Sequence, residues 1–236
     1  MENKVLGPVL SVTEVIALEK QIEAEGTSLY ELMNRAGLSV AEWVCKTLDP
    51  PELVLILCGS GNNGGDGWVI ADYLCSWGYS ISLVTAKAAD DLRAEPARRT
   101  ALEVQAKGHA GLSVNLNPDE EQLTELIEQA AVVVDALLGT GFDGSVVKEP
   151  YASWIQAVNA ARASSGSLQA VAVDVPSGLS ADTGRAAPTT IQADTTITML
   201  AYKPGLLETN SEQYCGNIIL ARIGTGGRGL VQGGRG

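Results

Sequence analysis

Two aspartates stand where carboxylates are expensive. Asp135 lies within the apolar run "AVVVDALL" and Asp174 within "QAVAVDV"; a charge at the end of a buried strand is costly unless something pairs with it. After a third run, "LVLIL", residues 58–68 read "CGSGNNGGDGW", which holds five glycines, two asparagines and an aspartate. Glycine at that density lets backbone turn sharply or approach something closely. Ser177 follows Pro176 in "VPSG", and Lys203 follows a fourth run in "YKPG". Asn63, Asp135 and Ser177 are all oxygen donors, which suits a hard cation rather than a thiophilic metal. With one carboxylate among them, a monovalent ion is expected. His109, the only histidine, sits in "AKGHAG", away from these loops, and is expected at the solvated surface. Proton transfer then falls to a carboxylate, to Lys203 or to water; Lys203 reads equally well as an exposed strand-end lysine.

The stretch "GSGNNG" satisfies G-x-G-x-x-G through Gly59, Gly61 and Gly64, so backbone amides and a helix N-terminus could hold a pyrophosphate. A redox dinucleotide domain also wants an acidic residue at the end of the second strand, where "SISLVTAKAA" supplies Thr85 and Lys87. A methyltransferase wants one just before the glycine loop, where Leu57 and Cys58 stand. Both readings lose ground. Asp66 is expected to begin the helix "GWVIADYL", either as its N-cap or as a ligand group.

Positioning these groups requires a sheet whose strands all end on one side. Apolar residues recur at helical spacing through "SVTEVIALEKQIEAEG" and "SLYELMNRAGLSVAEWVCKTL". Beyond Pro50 and Pro51, glycine-bounded apolar runs alternate with helical segments to the run "GNIILA". That alternation predicts an α/β fold: a doubly wound, Rossmann-like three-layer sandwich with a mostly parallel sheet and helices on both faces. Four of its strands would deliver Gly, Asp, Asn, Ser or Lys to one edge, where ligands bind in such sheets. At 236 residues the chain suits one domain, expected over 1–223, with the glycine-rich stretch 224–236 as a flexible tail.

Bulk properties exclude several partners. The formal charge of -12, with no Lys/Arg cluster, speaks against nucleic acid. Neither a signal peptide nor a membrane-spanning run is visible, so a cytoplasmic location is expected, with an organelle as the alternative left open. Cys45, Cys58, Cys75 and Cys215 form no CxxC pair and are expected as reduced thiols.

"GNNGGDG" at 61–67, "VDALLGTG" at 134–141, "VDVPSGLSADTG" at 173–184 and "KPGL" at 203–206 together resemble the YjeF N-terminal domain family, the NAD(P)HX epimerases. The likeness runs from "SLYELMNRAG" to about Ile223. It implies an isomerase that interconverts the R and S epimers at C6 of hydrated NADH or NADPH, for a separate dehydratase that accepts only S. It implies that the dinucleotide is held by Asn62, Asn63, Gly64, Gly65 and Asp66, by the loop Gly139, Thr140, Gly141, Phe142, Asp143, Gly144 and Ser145, and by Asp174. It also implies one potassium ion per subunit on Asn63, Asp135 and Ser177, and it is compatible with a homodimer. Asp174 is expected to be the catalytic acid and base. Relatives of the fold also serve as non-catalytic nucleotide- or partner-binding modules, and the presence of every Asn and Asp named here favours the enzyme.

Overall fold

The computed structural model describes residues 7–50, 52–224 and 229–232. Two helices open the fold, α1 (Val12–Ala24) and α2 (Leu29–Thr47). Ser11 starts α1 with a capping box to Glu14, and the Ser28 hydroxyl accepts from the Glu31 amide to start α2. On α2 the buried residues Leu32, Met33, Ala36, Val40 and Val44 recur every three or four positions and form its core stripe. Strand and helix then alternate: β1 (Leu53–Cys58), α3 (Asn62–Ser76), β2 (Ser80–Thr85), α4 (Ala97–Ala106), β3 (Leu112–Leu116), α5 (Glu120–Gln129), β4 (Val132–Ala136), α6 (Tyr151–Ser165) and β5 (Gln169–Val173). The chain continues through β6 (Thr195–Met199), the short α7 (Glu212–Cys215), β7 (Asn217–Arg222) and β8 (Gly229–Gln232).

The strands form one sheet in the order β3-β2-β1-β4-β5-β6-β7-β8. All pairings are parallel except β7 with β8. Alternation along β1 shows the three layers. Val54, Ile56 and Cys58 join the core beneath α2, α3 and α4, while Leu55 and Leu57 join the core beneath α5 and α6. Central strands covered on both faces are apolar at nearly every position, which is why they read as unbroken runs. The predicted doubly wound sandwich is the observed one.

Two expectations need correction. Helix α3 begins at Asn62 with Gly61 as its N-cap, so the stretch 62–66 is its first turn and not a loop before it. Asp66 is therefore not an N-cap. The flexible tail is contradicted at 229–232, where β8 pairs antiparallel with β7 in the register Leu220 with Val231 and Ala221 with Leu230. Residues 225–228 and 233–236 of that expected tail lie outside the described residues. Among the described residues no helix is long and apolar enough to cross a membrane, and none of Cys45, Cys58, Cys75 and Cys215 forms a disulfide.

Candidate active site

Strands β1 and β4 are neighbours, and from them the order runs outward in opposite directions. The crevice beyond their carboxyl ends is the switch point where such folds bind ligands. The chain is pressed tightly there. The Gly59 amide donates to the Ala136 carbonyl at 2.9 Å. A Cβ on Gly59 would stand 1.8 Å from the Leu137 carbonyl oxygen, and one on Gly64 would stand 1.9 Å from the Gly59 oxygen. These two glycines serve backbone packing. Gly65 is likewise turned against Met33 and Ala97, whereas Gly61, at the start of α3, faces open space.

Asp135 is fully buried beside this turn. Its Oδ1 accepts from Ser177 Oγ at 2.6 Å and from the Leu137 amide at 3.3 Å, and its Oδ2 accepts from the Ser177 amide at 2.8 Å. Burial raises its pKa to about 6, against the opposing effect of the Ser177 and Leu137 donors. Asn63 Nδ2 donates to the Leu138 carbonyl at 3.1 Å, and the Leu138 amide donates to Ser177 Oγ at 2.8 Å. The three residues expected around a cation are thus brought together about Leu138. None of the ion pairs among the described residues includes Asp135. A buried carboxylate with donors but no basic partner, next to carboxamide and carbonyl oxygens, fits a weakly charged hard cation. Among the described residues no three His, Cys, Asp or Glu side chains gather into a metal-binding group.

Asp174 follows β5 with φ +66°, in the left-handed region that non-glycine residues occupy only when their surroundings enforce it. What enforces it is a set of donors at the end of β6. Asp174 Oδ1 accepts from the Met199 amide at 3.0 Å, from Thr198 Oγ1 at 3.2 Å and from Lys203 Nζ. Lys203 is not a surface lysine: it is fully buried, and its ammonium also donates to Thr198 Oγ1 and to the Met199 carbonyl, each at 2.9 Å. With its three protons so placed, Lys203 is a fixed charge that orients Asp174. No hydrogen bond to Asp174 Oδ2 is made among the described residues, and this side chain lines a cleft of about 120 Å³ together with Glu19, Asn62 and Asp66. Met33 and Met199 form apolar parts of its wall. Burial holds Asp66 well above the usual carboxylate range; the charges of Asp174 and Glu19 add to this and Lys203 opposes it.

Larger cavities of about 450 and 590 Å³ lie beside α1 and β7 and between α5 and α6. Neither takes in the strand ends that carry the aspartates, so the smaller cleft is the candidate site. Of the loop 139–145, Gly139 lies against Asn63 and Gly141 faces open space. Phe142 packs into the core on the α5 and α6 side. Asp143 turns inward on its own loop, accepting from the Ser145 amide at 2.9 Å, and Arg185 donates to the Asp143 carbonyl at 2.7 Å. Gly144 takes φ +82°, and a Cβ there would stand 2.6 Å from the Arg185 carbonyl oxygen. Thr140 lies between these anchors. His109 is half-buried and pairs with Asp72 at 2.7 Å, which corrects its reading as solvated surface. Glu19, carried by α1, is the cleft residue that sequence reasoning missed.

The family model described as "YjeF-related protein N-terminus" matches residues 29–205. The chain belongs to that family. It is 36% identical over 219 residues to the bifunctional NAD(P)H-hydrate repair enzyme Nnr of Hyperthermus butylicus, covering 93% of this chain and 39% of that protein. With the Escherichia coli protein of the same name it shares 37% over 200 residues, covering 84% and 36%. The chain thus spans about two fifths of these bifunctional relatives. It is also 33% identical over 193 residues to the NAD(P)H-hydrate epimerase of Rhodopirellula baltica, covering 82% of this chain and 74% of that one. Among solved structures, the yeast protein ynu0 (YNL200c) superposes with a TM-score of 0.74 at 24% identity, over 90% of this chain and 88% of that one. This last likeness shows the fold.

Proposed function

We propose that this YjeF N-terminal domain is an NAD(P)H-hydrate epimerase, an isomerase acting on hydrated NADH and NADPH. The observation that carries the proposal is the cleft at the strand ends, where Glu19, Asp66 and Asp174 face one another and a single buried ammonium, Lys203, offsets them. C6 of the hydrated ring is a carbinolamine. When its hydroxyl departs, the ring nitrogen stabilises the cation that remains, and water returning to the opposite face gives the other epimer. Such a reaction needs an acid for the departing hydroxyl, a base for the incoming water, and negative charge beside the cation. The Asp174 carboxylate supplies the charge beside the cation and, oriented through Oδ1 with Oδ2 free of other bonds, exchanges a proton with the oxygen on its face of the ring.

The open N-terminus of α3 at Gly61 and Asn62 suits an anionic group such as the pyrophosphate. In this reading Asn62–Asp66 and the loop 139–145 hold the dinucleotide. Asn63, Asp135 and Ser177 hold a potassium ion, which would offset the buried Asp135 charge and tie the β1, β4 and β5 loops together. The product serves a dehydratase, a separate partner or a second domain of a longer chain. The test is direct: incubation of the protein with the R-hydrate of NADH, with S-hydrate followed by chromatography above the spontaneous rate. An unchanged epimer ratio would return the domain to the class of non-catalytic binding modules.

A further inference from the structure

Helix α1 carries a charge on the wrong face. Its buried positions are Val15 and Ile22, with Leu18 packed beside them. Glu19 stands four residues after Val15 and three before Ile22, inside the stripe that an amphipathic helix keeps apolar. Such a position is seldom given to a glutamate, and among the described residues Glu19 makes neither a hydrogen bond nor an ion pair. It is half-buried and lines the same cleft as Asp66 and Asp174. It also precedes the stretch matched by the family model.

We propose, resting on the epimerase reading above, that Glu19 is a second proton carrier for the reaction at this cleft. The chemistry calls for two. Hydroxyl leaves one face of a ring that becomes planar, and water adds to the opposite face. A single fixed carboxylate could serve both steps only if the ring turned over, and Asp174 is fixed, bonded to β6 and Lys203 through its Oδ1. Glu19 comes from a separate element. The balance closes without any co-reactant. One carboxylic acid gives its proton to the hydroxyl as the C6–O bond breaks, its electron pair leaving with the oxygen as water while the nitrogen pair forms C=N⁺. A water oxygen then forms the new C6–O bond, the C=N⁺ pair returns to nitrogen, and the released proton passes to the second carboxylate. Burial, reinforced by Asp174 and opposed by Lys203, lifts the Glu19 pKa above its ordinary value. The charged groups facing it are Asp66 on α3, Asp174 after β5 and Lys203 after β6.

The test compares wild type, Glu19→Gln and Glu19→Ala in epimerisation of the NADH R-hydrate, each across pH. The expected result is a fall in kcat on the order of 10²-fold for Glu19→Gln, loss of one limb of the wild-type pH profile, and NADH affinity within about twofold. Added formate should restore part of the rate of Glu19→Ala, which a merely structural role would not allow. A Glu19→Gln enzyme with unchanged kcat and pH profile overturns the proposal while leaving the epimerase reading in place. So does a slow Glu19→Ala enzyme that formate does not rescue. A wild-type protein that leaves the hydrate unchanged overturns both.

Discussion

Among individual residues, the proposed reaction divides the work between Asp174 as the reacting group and Lys203 as the charge that holds it. Asp174→Asn keeps size and most hydrogen-bonding capacity but ends proton exchange, so epimerisation should slow by roughly 10²- to 10⁴-fold while NADH binding persists. Initial rates of S-hydrate formation, corrected for the spontaneous reaction, measure this; an undiminished rate would move the role elsewhere. Lys203→Met should act on the fold itself, because it strips a buried carboxylate of its cation and empties three hydrogen bonds. The expected loss is about 3 kcal/mol in urea unfolding, and the double variant with Asp174→Asn should recover part of it, as contacting partners do. A double-variant loss equal to the sum of the two single-variant losses would mean that the pair is not coupled. Asp135 and Asp174 were legible in sequence because a carboxylate closing an apolar run is costly and must be explained. Glu19 was not, since charges on an amphipathic helix ordinarily face water, and only the packing of α1 shows which side this one takes. Lys203 was ambiguous for the complementary reason: a strand-end lysine looks exposed until the partners that bury it are known.

Elements were legible where one force dominates. The central strands read as apolar runs and α2 as a periodic stripe because burial alone sets those patterns. The start of α3 did not, because glycine and asparagine are poor helix formers and the stretch 62–66 is helical through tertiary contact rather than propensity. The glycines there divide by what surrounds them. Gly64→Ala, whose new methyl would meet the Gly59 oxygen at 1.9 Å, should cost at least about 2 kcal/mol. Gly61→Ala, with an open flank and φ -101°, should leave unfolding within about 0.5 kcal/mol of wild type. Urea melts of the two variants check the contrast, and equal effects would refute the assignment of Gly64 to backbone packing. Strand β8 was illegible for want of bulk, since in "GTGGRGLVQGGRG" only Leu230 and Val231 are large and apolar. Both are partly buried, Leu230 against the core below α2 and α3 and Val231 against the cluster around Tyr202. Truncation after Gly224 should therefore cost about 1–2 kcal/mol and lower the melting temperature by about 2–4 °C per kcal/mol. An unchanged melting temperature would restore the reading of a dispensable tail.

For the whole molecule, the pH dependence of stability should report on Asp135, because its carboxylate is fully buried where β1, β4 and β5 converge and every route to unfolding hydrates it. Its folded pKa of about 6 lies above the unfolded value, about 3.9. The sign follows from that order. The stabilising contribution of the protonated form is fully present below about pH 4 and is lost as pH rises through about 6, amounting to about 3 kcal/mol by neutrality for a shift of about two units. A cation held by Asn63, Asp135 and Ser177 acts in the opposite sense, since it binds the ionised carboxylate and stabilises the folded chain in proportion to its occupancy. In potassium-free buffer, then, the wild-type curve of unfolding free energy against pH should lie below that of Asp135→Asn at pH 7.5, and the two should converge toward pH 4. Added potassium should raise the wild-type curve at pH 7.5, leave it nearly unchanged at pH 4.5, and do nothing for Asp135→Asn. Urea titrations at the two pH values, with and without potassium at constant ionic strength, provide the measurement. If potassium stabilised Asp135→Asn as much as wild type, the ion would not be bound at the switch point, and the loops around Leu138 would owe their closeness to the hydrogen bonds of Ser177 and Asn63 alone.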